Sequence, residues 1–435
     1  MTVTAGKPSS IRTVALASLI GTTIEWYDFF LYGTATALVF NRLFFPNVDP
    51  LIGTLYALST YSVGFVARPI GGIVIGHFGD KIGRKSMLVL TLMIMGVATF
   101  LIGCLPTYSQ IGPWAPVLLV VLRIAQGFGV GGEWGGAVLM AVEHAPAGKR
   151  GFYGSWPQIG VPAGLLVSTV VYFPFSRMPE AAFLSWGWRV PFLLSIVLVM
   201  VGLFIRVRIL ETPAFERLKE TRQQARQPIV EVLRRYPKEV LLAMGARFAE
   251  NGAFYLYTVF VLIYAVQHVH IDRNIVLWAL IVASTIELAA IPMYGALSDR
   301  IGRRPVYLFG AVCTALTAYP IFWLLDTGTP WLVHAALYMG LLLGHAAMYA
   351  PQGAFFSELF GTSVRYSGAS LGVQLSSAIA GGLSPIIATR LLQLGYGRGA
   401  LSLYLMGMAA ITIVSVILAT ETRHHDIHQT EQQKI

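Results

Sequence analysis

The chain has 435 residues, of which 55% are hydrophobic and only 12% charged, and its formal net charge is +10. Because a soluble globular domain carries about 25% charged residues, this composition excludes an ordinary soluble protein. The basic residues lie in short segments between long apolar runs, which is the placement found in membrane proteins and not that of a nucleic-acid-binding surface.

The apolar residues form twelve runs that we predict to be transmembrane α-helices. A run of about 18 or more apolar residues can cross a bilayer, and a lipid-exposed backbone must satisfy its own hydrogen bonds, which favours helices. The first run is too long for a cleavable signal peptide and contains acidic residues, so it is predicted to be the first span. The predicted spans are 14–40, 51–78, 86–105, 115–142, 150–174, 188–207, 239–265, 273–296, 305–325, 331–357, 365–392 and 398–420.

The basic residues outside the spans fall mostly on one side of the membrane. Of the 31 Lys and Arg residues, 22 lie in the termini, the central segment and the loops on that side, and 6 lie in the opposite loops. The positive-inside rule therefore predicts a multi-pass protein of the cell inner membrane with both termini in the cytoplasm. Only Arg68, Arg123 and Arg247 fall inside spans, and Arg68 is either a gate residue or a side chain that extends to the interface.

A polar central segment, punctuated by Pro213, Pro228 and Pro237, divides the spans six and six. We predict that it is a cytoplasmic linker, part of which could instead form an amphipathic helix on the membrane surface. The predicted domains are an N-terminal six-helix bundle, the linker, a C-terminal six-helix bundle and a cytoplasmic tail, at 1–207, 208–238, 239–420 and 421–435.

Three matches between the halves indicate an internal repeat. GHFGDKIGRK aligns with GALSDRIGRR at an offset of 219 residues, in the loops after predicted spans two and eight. Glu143 precedes Arg150 by seven residues, as Glu358 precedes Arg365, and a Glu-Thr pair follows spans six and twelve. Such parallel repeats predict an all-α membrane protein of twelve transmembrane helices, in two six-helix bundles related by pseudo-two-fold symmetry.

The same motifs carry a resemblance to known transporters. The repeated GxxxDxxGRK/R loop resembles the signature of the major facilitator superfamily, and the RIAQG segment (123–127) resembles its RxxxG motif. Four further segments are similar to the metabolite:proton symporter family: IEWYDFFLYG (24–33), VGFVARPIGG (63–72), QGFGVGGEWGGA (126–137) and FLSWGWRVPF (183–192). Members of that family include permeases for shikimate, α-ketoglutarate, citrate-like acids and proline or betaine. The chain lacks the long heptad-patterned C-terminal tail of the proline/betaine branch, so we do not expect osmosensing.

The repeated loop predicts a cytoplasmic gate. An acid at the end of one helix can pair with an arginine or a helix N-terminus when the inner side is closed, and the resemblance implies the same role. Glu143 with Arg150, and Glu358 with Arg365, are expected to be ion pairs between helices near the surface. The gate residues are Gly76, Asp80, Gly83, Arg84, Asp299, Gly302, Arg303, Glu143, Arg150, Glu358 and Arg365.

Acidic residues within the spans are candidates for proton coupling, because an ionised side chain near the bilayer centre costs about 2.5–3.5 kcal/mol on insertion scales. Glu25 and Asp28 are three residues apart and share one helix face. Two carboxylates in a low-dielectric environment resist joint ionisation, so one can hold a proton as a symporter requires. Alternatively, they are a structural pair bound to cations on other helices. The predicted coupling residues are Glu25, Asp28, Glu133 and Glu250.

Two arginines are candidates for substrate binding. An arginine facing a central chamber binds a carboxylate through two parallel hydrogen bonds. Arg247 could pair with Glu250 on the same helix, or with Asp28 across the chamber, which would leave Glu250 free. Aromatic and amide side chains within the spans either line the chamber or pack. The predicted substrate-binding residues are Arg123, Arg247, Tyr27, Trp134, Tyr255, Gln352 and Gln374.

The remaining polar residues receive no role in transport. Glu287 is a further buried acid without an assigned function, and His345 and His334 are expected to be helix-end or packing histidines and not ligands. The chain contains no GxxxxGK[ST] loop, zinc-protease motif or dinucleotide fingerprint, so we expect neither an enzyme nor a cofactor, with protons as the coupling ion. Its two cysteines are far apart and predict no metal site.

These features together predict a secondary transporter for proton-coupled uptake of a small organic acid by alternating access. The expected partners are the organic acid, protons and membrane lipid, with no nucleic acid, and we expect a monomer. Two alternatives on the same scaffold are a symporter for a zwitterionic osmolyte and an exporter. A third alternative is a membrane sensor that does not transport, for which several buried charges would serve no purpose.

Overall fold

The computed structural model describes residues 11–82, 84–131, 134–143, 145–208, 228–360 and 365–425. Every regular element within these ranges is a helix. The predicted coupling residue Glu133 and the predicted gate residue Gly83 lie outside the described residues. The backbone is helical at Gly76, Asp80 and Arg84, but their side chains lie outside the described part of the chain.

Six long helices form the first half, and short helices connect some of them. Three of them are continuous: helix 2 is Pro50–Ile82, helix 3 is Arg84–Cys104 and helix 6 is Val190–Arg208. The other three have two segments each: helix 1 is Ile11–Ala35 followed by a π-helical turn at Thr36–Phe40, helix 4 is Trp114–Val130 followed by Trp134–Glu143, and helix 5 is Arg150–Gly154 followed by Trp156–Ser176. The connecting helices are Asn41–Phe44, Tyr108–Ile111, Glu180–Ser185 and the 3₁₀ turn Gly187–Arg189.

The second half repeats this arrangement after the short helix Pro228–Arg235. Three of its long helices are continuous: helix 8 is Arg273–Ile301, helix 9 is Arg303–Asp326 and helix 12 is Gly397–Leu418. The other three are built from consecutive segments: helix 7 from Pro237–Tyr255, Leu256–Phe260, Val261–Ile263 and Tyr264–His268, helix 10 from Pro330–Tyr338, Met339–His345 and Ala346–Leu359, and helix 11 from Arg365–Ser376, Ser377–Gly381 and Gly382–Gln393.

The twelve predicted spans are confirmed, with their ends displaced by a few residues. Nine helices of the described chain are long and apolar enough to cross a membrane, and two shorter apolar helices are Val89–Cys104 and Trp114–Val130. Helix 1, which carries Glu25 and Asp28, completes the set of twelve. The repeat is also visible in the backbone, because π-helical turns occur at Thr36–Phe40 and Leu256–Phe260, in corresponding positions of helices 1 and 7.

Glycines on helix 4 allow it to pack closely against helix 2. A Cβ atom added to Gly127 would collide with the carbonyl oxygen of Gly64, and one added to Gly131 would collide with that of Arg68. Small residues at such positions let two helix backbones approach within a membrane. This close approach fixes the positions of Arg68 and of the neighbouring Arg123, whose guanidinium lies beside Gly64.

We expect the substitution Gly127→Ala to lower the Tm of the purified protein, because the new methyl group meets backbone and not a movable side chain. Overpacking of this kind typically costs about 1–3 kcal/mol. The matched control is Gly407→Ala on helix 12, where an added Cβ would meet nothing within 4 Å. Equal Tm values for both variants in a detergent thermal melt would contradict this account of the helix 2–helix 4 contact.

Candidate functional site

A small cavity of about 20 Å³ lies between the two halves. This is room for about one water molecule, so the centre of the protein is nearly closed. Both halves contribute to its wall, including four residues that the sequence predicted for the site. The wall consists of Thr22, Glu25, Trp26, Arg68, Val130, Trp134, Ala137, Pro157, Arg247, Val373, Gln374 and Ser377.

Arg68 is part of this wall and is only 3% exposed, so it does not extend to the membrane interface. Its guanidinium carbon lies 4.3 Å from the ring centre of Phe29, 4.6 Å from that of Phe65 and 5.3 Å from that of Trp26. Cation–π contacts of this kind stabilise a cation that has lost its hydration. Arg68 is therefore a cavity residue, in addition to Arg247, although the sequence did not assign it to the substrate-binding site.

Arg247 is bound within its own half. Its Nη1 donates to Oε1 of Gln352 at 3.0 Å, and its Nε lies 3.5 Å from Oε2 of Glu250. The amide of Gln352 also donates to Oε2 of Glu250 and to the hydroxyl oxygen of Tyr307, both at 3.0 Å. Of the two pairings that the sequence allowed, this structure contains the one on helix 7, and Gln352 holds it in place.

Arg123 and Asp28 lie behind the cavity wall, within the first half. Arg123 donates to Oε1 of Gln126 at 3.0 Å, and aromatic rings pack around its guanidinium, the nearest being Tyr32 with its centre 4.2 Å away. Asp28 is 2% exposed and hydrogen-bonds the Thr99 side chain. Neither side chain lines the cavity of this closed state, so substrate would reach them only after a rearrangement.

Two other predicted substrate-binding residues also lie away from the cavity wall. Tyr27 is fully buried, and its hydroxyl donates to the carbonyl oxygen of Pro191 at 2.7 Å, which makes it a contact between helices 1 and 6. Gln352 is not part of the described cavity wall, and it contacts the wall residue Arg247. Trp134 and Gln374 do line the cavity, and Gln374 donates across the halves to the carbonyl oxygen of Gly131 at 3.2 Å.

An aromatic layer separates the cavity from a wide vestibule. Tyr255 of helix 7 joins the halves, with ring-centre distances of 5.1 Å to Phe65 and 5.9 Å to Phe29. The layer consists of Phe29, Phe30, Tyr61, Phe65, Phe254 and Tyr255. Beyond it lies a vestibule of about 950 Å³ whose wall includes Arg42, Arg177, His268, His270 and Arg273. The predicted substrate residue Tyr255 thus belongs to a barrier between the two spaces.

The opposite end of the molecule, where the repeated loops lie, is closed by polar contacts; we call it the motif face. Asp299 accepts the backbone N–H groups of Gly151 and Phe152 at 2.8 and 2.9 Å, which ties the second half to the start of helix 5. Arg303 donates to Asp299 at 2.7 Å and lies 3.2 Å from Glu358. The second repeated loop therefore has the geometry of the predicted gate, with Gly302 at φ +110° allowing the turn.

The ion pairs at this face differ from those that the sequence repeat suggested. Glu143 pairs with Arg365 of the other half at 3.4 Å, and Glu358 pairs with Arg303. Arg150 donates instead to the backbone carbonyl of His425 at 2.7 Å. The reason is spatial, because the ends of helices 4 and 5 face those of helices 10 and 11 when this side is closed.

The polar network around Arg247 also includes His345, Glu287 and Tyr307, three residues to which the sequence assigned no role. His345 lies 2.7 Å from Glu287 and 3.4 Å from Glu250, and Tyr307 donates to the carbonyl oxygen of Ala246 at 3.0 Å. His345 does pack, with its ring centre 4.2 Å from that of Phe254, but its contacts with the two acids go beyond the expected packing role. The available signal was that both His345 and Glu287 fall within apolar runs, where an ionisable group requires a partner.

Glu421 fastens the tail to the motif face. Its carboxylate accepts the backbone N–H groups of Arg303 and Arg304, both at 3.0 Å, at the N-terminus of helix 9. Partial burial raises the pKa of Glu421, but these N–H groups and two in the tail outweigh it and hold the pKa below its usual range. Thr422 adds a hydrogen bond to Glu358 at 2.7 Å.

The halves match two protein-family profiles. Residues 13–241 match the family described as "Sugar (and other) transporter", and residues 242–434 match the family described as "Major Facilitator Superfamily".

Curated relatives match almost the whole chain. The shikimate transporter of Escherichia coli K12 is 42% identical over 95% of this chain and 96% of its own length. The inner membrane metabolite transport protein YhjE of the same organism is also 42% identical, over 96% of each chain. The proline/betaine transporter of Escherichia coli K12 is 34% identical over 96% of this chain and 85% of its own length. All three are transporters, and none is an enzyme.

Solved structures confirm the architecture. The proton:xylose symporter XylE bound to 6-bromo-6-deoxy-D-glucose superposes with a TM-score of 0.72 at 16% identity, covering 95% of this chain and 96% of that one. A partially occluded inward-open form of XylE from E. coli gives 0.72 at 18% identity, covering 96% and 99%. At such identities the likeness shows the fold alone, which is the predicted twelve-helix arrangement of two six-helix bundles.

We expect Glu421→Gln to lower the Tm at neutral pH, with an effect that disappears as the pH falls through the lowered folded-state pKa of Glu421. A carboxylate whose pKa is lowered by folding contributes stability above its unfolded-state pKa and loses it as the pH falls through the folded-state pKa. The effect at neutral pH should be about 1 kcal/mol or less, because the side chain is partly solvated. Thermal melts of both proteins across this pH range measure it, and a Tm difference independent of pH would contradict the capping role.

Proposed function

The chain belongs to the major facilitator superfamily and, within it, to the metabolite:proton symporter family, and on that premise we propose that it is a proton-driven symporter of a small organic acid. It is a multi-pass transporter of the inner membrane. The proposal concerns the substrate class, the coupling ion, the uptake direction and the cytoplasmic position of both termini.

The observation that carries the proposal is the charge of the central cavity. Arg68 and Arg247 both line it, against the single acid Glu25 within the described wall. A substrate carboxylate could bind Arg68, or take the place of Glu250 at Arg247, through two parallel hydrogen bonds with a guanidinium. A neutral sugar could not form such a charge-assisted pair with either guanidinium.

Buried acids supply the means of coupling. Glu25 at the cavity and Asp28 behind it are each at most 4% exposed, and Glu250 lies beside the cavity arginine Arg247. A carboxylate at this depth changes its charge when it binds or releases a proton, which alters its attraction to the arginines. An inward membrane potential contributes about 2.3 kcal/mol per charge per 100 mV to any net positive charge that accompanies the substrate.

The two seals support alternating access. The contacts of Asp299 and Arg303 close the motif face, and the aromatic layer closes the cavity toward the vestibule. Rocking of one six-helix bundle against the other would open one seal while the other stays closed.

A second candidate substrate class is a zwitterion such as betaine. Trp26 and Trp134 line the cavity beside the arginines, and an indole ring attracts a quaternary ammonium group. In that case the carboxylate would bind an arginine and the ammonium group an indole. An exporter on the same scaffold would use the same residues with the opposite direction of net flux.

We expect the purified protein in proteoliposomes to accumulate a radiolabelled carboxylate when the outside is acidic, and to stop when a protonophore is added. The probe panel is shikimate, α-ketoglutarate, citrate, proline and betaine. Uptake unaffected by pH and by the protonophore would exclude proton symport. Uptake of betaine or proline alone would select the zwitterion alternative.

We expect Arg247→Lys to weaken carboxylate binding, measured as the Kd for the carboxylate of this panel that raises the Tm of the wild-type protein most. Lysine keeps the charge but cannot form the paired hydrogen bonds of a guanidinium, and a loss of about 1.4 kcal/mol corresponds to a tenfold weaker Kd. The matched control is Arg300→Lys, an exposed arginine at the end of helix 8. Equal Kd values for wild type and Arg247→Lys would remove Arg247 from the binding site.

A further inference from the structure

A histidine and two acids lie together inside the second half. Nδ1 of His345 is 2.7 Å from Oε1 of Glu287, and Nε2 of His345 is 3.4 Å from Oε1 of Glu250. The residues belong to helices 10, 8 and 7, and each side chain is at most 2% exposed. We call these three residues the His345 cluster. It is joined to the central cavity through Arg247, which lines the cavity and lies 3.5 Å from Glu250.

The charges of the cluster balance only when it holds a proton. Among the described residues, Glu250 contacts both Arg247 and His345, and Glu287 contacts His345. With both acids ionised, neutrality requires that His345 be protonated on both ring nitrogens. If His345 is neutral, one acid must hold the proton instead, because a net charge buried at this depth is strongly unfavourable.

The other titratable groups around the cluster do not change this balance. The ring of Tyr349 stacks on His345 with centres 5.0 Å apart, and the hydroxyl of Tyr307 contacts Gln352 at 3.0 Å. Tyr255 and the cavity acid Glu25 act electrostatically on Tyr349. Phenol groups are neutral near neutral pH, and Glu25 belongs to the first half, where Arg68 shares its cavity.

We propose that His345 and Glu287 form the proton store that couples substrate binding at Arg247 to proton uptake, an inference that rests on the proposed function. When a substrate carboxylate binds Arg247, it takes the place of Glu250. The proton on Nε2 of His345 passes to Oε1 of Glu250, which neutralises the displaced carboxylate. One proton that enters from water with the substrate then restores the imidazolium, and Glu287 holds Nδ1–H throughout.

The stoichiometry follows from the same balance. Before binding, the cluster and Arg247 carry two positive and two negative charges. After binding, the substrate has added one negative charge and the entering proton one positive charge, so the sum is again zero. The site therefore takes up one proton for each single negative charge bound at Arg247, and releases both together on the other side. In this scheme His345 transfers the proton and Glu287 is a positioning residue.

The test uses the double variant His345→Gln/Glu287→Gln in proteoliposomes with the membrane potential set to zero. Removing both partners keeps the buried charge balanced, whereas removing one would leave an unpaired charge. With a gradient of one pH unit, one coupled proton can support about a tenfold accumulation. We expect wild type to approach that value with radiolabelled shikimate. If shikimate does not raise the Tm of the wild-type protein, the carboxylate of the panel that raises it most is used instead. We expect the double variant not to accumulate it at neutral pH, because Glu250 must then take its proton directly from water. Its accumulation and its exchange activity should both require a pH lower by about one unit or more.

Two further variants separate a coupling role from a structural one. Adding Glu250→Gln to the double variant leaves the substrate carboxylate as the anionic partner of Arg247. This triple variant should regain exchange at neutral pH without regaining accumulation, because no displaced carboxylate then needs a proton. A purely structural role for His345 and Glu287 predicts no such rescue. The matched control is His334→Gln, a half-buried histidine on the same helix that contacts Tyr338, and it should accumulate and exchange like wild type.

The outcomes distinguish this inference from the proposed function. If wild type itself does not respond to the pH gradient, the proposed function fails. If wild type accumulates substrate and the double variant does so equally, with the same pH profile, only the proton store is wrong. Failure of both the double and the triple variant to fold would give the pair a structural role and would also overturn the inference.

Discussion

Charge balance within a low-dielectric interior is the constraint on which the central site depends. Glu25 and Arg68 face one cavity, and Arg247 with Glu250 and His345 extends from it into the second half. Such groups are costly to bury alone. Arg68 is held by aromatic rings, and Arg247, Glu250 and His345 are held by one another and by Gln352. A substrate that binds one of them must therefore disturb the partners of the others.

Two seals of different chemistry enclose this site. The motif face is closed by a carboxylate that accepts backbone N–H groups and by the arginine beside it, Asp299 and Arg303. Such polar contacts can be exchanged for water at little net cost. The other seal is a layer of packed aromatic rings, centred on Tyr255, which excludes water from the charged cavity. Close packing at Gly127 keeps helices 2 and 4 together, so motion is expected between bundles and not within this pair.

The relatives show how one fold serves different substrates. A shikimate transporter and a proline/betaine transporter both align with nearly all of this chain, at 42% and 34% identity. Under the proposed function, the cavity wall, where arginines and indole rings lie side by side, is where this chain would select its substrate. A fold of this kind indicates how a molecule is moved, whereas the site decides which molecule is bound.

The sequence by itself determined the membrane spans, the repeat and the positions of the ionisable groups, because hydropathy and motif spacing are local properties of the chain. It also identified Glu25, Trp134, Arg247 and Gln374, all of which line the cavity. Only the tertiary structure decided which charges meet. Glu287 and His345 are 58 residues apart, and Glu143 pairs across the halves with Arg365. Such pairings depend on the rotation of each helix and on the closed state of the motif face, and neither is encoded in the spacing of residues along one helix.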